Sequence, residues 1–170
     1  MRIESEEGGF EDFVVELMAE TEEAAKVAVF DAVTFLRGRV VEKLTGNGSG
    51  RTYFVPGATA ATYVASAPGQ PPASATGKLQ QNINASRVQS DGVEVSATVG
   101  VDLRVVPYAH RLEYGGFHVQ QQDQAVRTPN GWFTVKAGTV IKTEKRPFIR
   151  PTFDENRAEV EARIEMILNR

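Results

Sequence analysis

The chain has 170 residues, 41% of them hydrophobic and 24% charged, the proportions of one ordinary globular domain with a proper core. Its 19 Lys and Arg against 22 Asp and Glu give a net charge of −3, which argues against a dedicated nucleic-acid binder, whose affinity rests on phosphate neutralisation. There is no cysteine, so disulfides and thiolate metal sites are excluded. No apolar run approaches the roughly 20 residues of a membrane span. No basic-then-apolar leader precedes the first acidic residues, so a secreted destination is not expected.

In chain order, residues 10–45 predict a long helix. Phe10, Phe13, Val14, Leu17, Ala24, Ala28, Ala32, Phe35 and Leu36 recur at about 3.6 residues. Acidic residues crowd its first half, and Arg37, Arg39 and Lys43 stand near its end, which suits the helix dipole. A pattern this long invites a break near Thr21. The middle, Val27 to Phe35, is apolar on more than one face, and a helix crossing its own sheet is the simpler explanation than a second subunit.

Residues 46–78 are rich in glycine and proline, and read as an extended arm or loop. Tyr53, Phe54, Val55, Tyr63 and Val64 are too apolar for an idle linker and suggest an arm that finds its surface on assembly, with a floppy surface loop carrying a short edge strand as the equal alternative. Residues 79–150 read as a mainly antiparallel sheet. Leu79 and Ile83 sit on a short helical turn before it. Val88, Val93, Val95, Ala97 and Val99 alternate around Asp91-Gly92, a hairpin signal. Pro107 opens and Gly115-Gly116 closes a short helix over 107–115, with Tyr108 and Leu112 on one face. A hairpin insertion follows at 117–137, turning at Pro129-Asn130-Gly131 and carrying Trp132, and Thr139–Thr143 reads as a further strand. A closing helix spans 151–169, with Phe153, Val160 and Ile164 as its stripe. The fold class is α+β: a long N-terminal and a C-terminal helix on a mainly antiparallel β-sheet, with a long arm and a hairpin insertion, in a single domain.

Residues for catalysis are sparse. His110 in an amphipathic turn and His118 in a polar loop read as surface or packed histidines, and no ligand spacing marks a metal or cofactor site. The glycines at 46–50 lack the lysine and hydroxyl ending of a phosphate-binding loop. Glu113 alone says little about acid–base work. Lys142, Lys145, Arg146 and Arg150 surround Phe148 and suit either nucleic-acid contact or ion pairing with carboxylates; the acidic balance favours the latter.

Pro107-Tyr108-Ala109, Leu112-Glu113-Tyr114-Gly115 and Arg146-Pro147-Phe148-Ile149-Arg150-Pro151 together resemble the tail-completion or head–tail joining proteins of long-tailed bacteriophages. Those are similar in a Tyr-Ala…Leu-Glu-aromatic-Gly signature and an Arg-Pro-Phe-aliphatic-Arg-Pro signature. Gly50–Tyr53, Ala67–Pro72 and Thr76–Leu79 add to the likeness. Gly115-Gly116 departs from the Gly-Thr of many relatives, and the insert over 117–142 is long. The resemblance implies a non-enzymatic virion protein of the neck, assembled in the host cytoplasm and forming a ring around DNA that passes without sequence-specific binding. Six copies are expected, twelve being the alternative. Expected neighbours are an adaptor or stopper on the head side and the tail terminator or tube below, with no cofactor, metal or membrane. Tyr108, Leu112, Phe148 and Ile149 then form the motif core. Arg51, Tyr53, Phe54, Tyr63, Pro71, Glu113, Trp132, Arg146 and Arg150 are the interface candidates, with Glu113 paired to Arg146 or Arg150. Three other readings compete: a terminator or stopper, a DNA-binding adaptor acting through 142–150, and a small hydrolase using Glu113 or His110.

Overall fold

The structure, a computed structural model, describes residues 2–5, 13–17, 22–46, 48–55 and 60–169. Among the described residues four helices and a set of antiparallel strands make an α+β fold. The chain divides into two compact units, each built from separated segments, where the composition alone reads as one domain. The first unit takes 1–43, 82–102 and 149–170; the second takes 44–81 and 103–148.

The first unit holds a five-stranded antiparallel sheet. β1 (Arg2–Ser5) pairs β2 (Phe13–Leu17), and β2 pairs the central β7 (Val95–Val101). The other edge of β7 takes β5 (Ile83–Ala85) at one end and β6 (Gln89–Ser90) at the other. The alternation of β7 sends Val95, Ala97, Val99 and Val101 into the core, as the period of two requires. The turn before it is fixed by Asp91, whose carboxylate accepts the amides of Val93 and Glu94 at 2.9 and 2.8 Å. These bonds hold the Asp91 carboxyl below its usual range. Gly92 supplies the positive φ of 89°.

The long helix is shorter than its periodicity suggests. α1 runs Glu22–Lys43, and Phe13–Leu17, expected as its first turns, is strand β2. The run Phe-Val-Val-Glu-Leu satisfies a helical stripe and a strand alternation equally, and its β-branched pair favours the strand once β7 offers a ladder. The break read at Thr21 and the residues Phe10 to Asp12 lie outside the described residues. α1 buries Ala25, Ala28, Val29, Ala32, Val33, Leu36 and Val40 in one stripe against β7 and the closing helix α4 (Ile149–Leu168). Small residues at 25, 28 and 32 allow a close approach. Val27 and Phe30, apolar on the other face, stay 57% and 62% exposed. α4 contributes Phe153, Val160 and Ile164, and Lys43 and Asp31 on α1 pair with Glu155 and Arg163 on α4. Those two pairs show that the helices run antiparallel.

The second unit is made of small ribbons. β3 (Thr52–Phe54) pairs β4 (Thr62–Val64), β9 (Gln124–Thr128) pairs β10 (Gly131–Val135), and β8 (Gly116–Val119) pairs β11 (Val140–Thr143). The turn at Pro129-Asn130 falls where the sequence places it. Strand β8 lies in a stretch that reads as polar loop, and it is β8, rather than the preceding hairpin, that β11 joins. The helices α2 (Lys78–Gln81) and α3 (Ala109–Tyr114) complete the unit. Ile83, expected on the α2 turn, is already in β5.

Candidate functional site

The two motif stretches of the second unit meet through backbone polar groups. Pro107 and Tyr108 lead into α3, whose first turn closes with the Ala109 amide on the Val106 carbonyl at 3.0 Å. Val106 and Ala109 are buried; Leu112 is half-buried. Tyr108, read as motif core, stays 37% exposed, and its partial burial raises the phenol above its ordinary pKa. The α3 end is set by Gly115, with φ of 76°. A Cβ there would stand 3.2 Å from the Thr143 carbonyl oxygen and 3.3 Å from the Lys145 amide nitrogen, so both conformation and space call for glycine.

The segment 144–148 runs along this helix without joining a sheet. The Arg146 amide donates to the Leu112 carbonyl, and the Phe148 amide donates to Glu113 Oε2 at 2.8 Å. Glu113 is only 5% exposed, so this carboxylate is a buried acceptor for the Phe148 backbone donor. Of the two arginines expected as its partner, Arg146 points elsewhere. Its guanidinium donates to the carbonyls of Ser66 and Glu144 at 3.2 and 3.3 Å. The Lys145 carbonyl accepts the Gly69 amide at 3.0 Å. Segment 144–148 is thus clamped between α3 and the loop 66–69. Phe148 is completely buried, and Ile149 is buried at the start of α4 in the first unit.

The glycine-rich arm is largely folded back. The Gly50 and Ala65 amides extend the β3–β4 hairpin, bonding to the carbonyls of Ala65 and Arg51. Tyr53 and Tyr63 are opposite one another, ring centroids 6.1 Å apart, and both are half-buried. Burial raises the Tyr63 phenol pKa. Phe54 lies under the Arg127 guanidinium at 4.2 Å, and Arg127 also sits 5.8 Å from the ring of Trp132, its cross-strand neighbour. Pro71 is half-buried, Arg51 and Arg150 are exposed, and Trp132 is 69% exposed.

A surface that sequence reading passed over lies on the β8–β11 ribbon. Phe117, Val119 and Val140 share one face by register and are 68%, 48% and 62% exposed. The signal was there in the alternation of Phe117 and Val119, masked by the glutamines that follow. On the other face His118 pairs with Ile141 in the ladder, and His118 Nδ1 is buried with no hydrogen-bond partner among the described residues.

No protein-family model, no curated protein and no solved structure matches the chain. The geometry therefore stands alone. Among the described residues no group of His, Cys, Asp and Glu could hold a metal ion, and no helix is long and apolar enough to cross a membrane. His110 lies against Tyr114 in a tilted ring contact, centroids 5.0 Å apart, and both are exposed.

Proposed function

We propose that this chain is a structural subunit of the neck of a long-tailed bacteriophage, a tail-completion or head–tail joining protein. Copies form a closed ring of six, or of twelve, between the head-side adaptor or stopper and the tail terminator or tube. DNA passes through it. The observation that carries the reading is the hydrogen-bonded pairing of the two signature stretches, Leu112–Glu113 with Arg146–Phe148, which gives those residues a shared structural reason to occur together. Glu113, engaged by a backbone amide, then serves as a buttress.

The ribbons add support. A ring subunit presents two different patches that meet head to tail. Apolar side chains on both exposed ribbons, Phe117, Val119 and Val140 on one and Trp132 on the other, are the kind of surface that assembly covers.

Gold-labelled antibody against the chain, applied to intact particles, is expected to mark the junction of head and tail. Label on the capsid faces, on the tail tip or nowhere on the particle would end this reading. Native mass and ring images of the purified chain give the copy number.

A further inference from the structure

The charge of this protein is divided between its two units. The second unit carries nine Arg and Lys against three Asp and Glu, a net of +6. The first carries ten against nineteen, a net of −9. The mild overall charge therefore conceals a strongly basic body.

Within that basic unit the start of β3 and the β9–β10 turn line a cleft of about 680 Å³. Arg51 stands at it, exposed, and among the described residues its guanidinium has no hydrogen-bond or ion-pair partner. Two aromatic rings line the same cleft, Tyr53 and the 47% exposed Phe133. Thr52, Thr128 and Asn130 add hydroxyl and amide groups. Phe133 shares its ribbon face with Thr128, because residues 131, 133 and 135 lie opposite 128, 126 and 124. The cleft thus combines an unspent cation, ring faces and uncharged polar groups, with no carboxylate among the residues that line it.

We propose that this cleft binds single-stranded nucleic acid, a phosphate on Arg51 and a base against Phe133 or Tyr53. Stacking on exposed rings needs bases that are free of a partner strand, which favours a single strand over a duplex. The cation supplies the sequence-independent part of the affinity. This goes beyond a neck subunit that DNA merely passes.

The test uses the full chain and a fluorescently labelled oligo-dT, followed by anisotropy across a salt series. Binding is expected in the non-specific range of about 10⁻⁴–10⁻⁶ M, weakening as salt rises. Arg51→Ala is expected to lower the slope of log K on log salt by about 0.7, one phosphate contact's share, with Arg51→Lys keeping it. Phe133→Ala is expected to weaken binding about tenfold, within the range of one base stack. Arg157→Ala, which removes a cation from α4 in the other unit, should change nothing. Circular dichroism of each variant separates loss of binding from loss of fold. Four results would each overturn the proposal: no binding at low salt, a duplex of equal length bound more tightly, an equal loss from Arg157→Ala, or salt-sensitive self-association abolished by Arg51→Ala. The last would make the cleft a contact between copies. Neck labelling of particles is unaffected by any of them, so this inference and the neck assignment fail separately.

Discussion

Two carboxylates show how a single side chain fixes backbone, and each makes a prediction. Glu113 is buried and holds the amide of Phe148. Glu113→Ala removes that buried charge-assisted hydrogen bond, and the loss expected in urea unfolding is about 1–3 kcal/mol. Glu113→Gln keeps an acceptor oxygen and the shape, so it should lose less. A substitution to alanine that leaves the unfolding curve unmoved would show that Glu113 ties nothing down. Asp91 works at the surface, where its carboxylate holds the amides of Val93 and Glu94. Its folded pKa is lowered, so its contribution is present above the unfolded value of about 3.9 and disappears as pH falls through the folded value. Asp91→Asn should therefore melt below the parent at neutral pH, with the gap closing in acid. A gap independent of pH would show that the charge is irrelevant.

Element by element, the sequence was most legible where one period dominated. The alternation of Val95, Ala97 and Val99 and the Asp91-Gly92 turn led directly to β6 and β7, and the stripe on Val160 and Ile164 led to α4. It was least legible where two periods coincide. Phe13, Val14 and Leu17 fit a helix, and only the ladder partner on β7, some eighty residues away, decides for a strand. Residues 116–119 failed for a related reason: a four-residue strand offers too few alternations to outweigh adjacent glutamines. The glycine-rich arm reads as extended because its partners, Arg146 and Lys145, are remote in sequence. Exposure also sorts the apolar residues of α1, which periodicity left on two faces. Ala28 is fully buried, so Ala28→Leu overpacks the core and should lose about 1–3 kcal/mol in urea unfolding. Phe30 is largely exposed, and Phe30→Ser should stay within about 0.5 kcal/mol of the parent. Equal effects from the two would mean that the face of α1 has been assigned wrongly.

For the molecule as a whole, what the sequence hides is the partition of charge and apolar surface, since both depend on which distant segments share a unit. Residues 44–81 and 103–148 come together as a basic body whose small ribbons bury little of their own surface. Two-stranded ribbons are marginal by themselves, and a hydrophobic face gains most when a partner covers it. On β8 and β11 that face is Phe117, Val119 and Val140. If the protein is a ring subunit, this face is where contact with a neighbour should matter and folding should not. The double variant Phe117→Ser with Val140→Thr removes apolar area that is already exposed to water, so its melting temperature should match the parent closely. Its ring formation, read by native mass and by particle images, should fall by an order of magnitude or more. Rings at parental yield would place the contact on another surface. A lowered melting temperature with no assembled parent to compare would instead assign these residues to the interior of the unit.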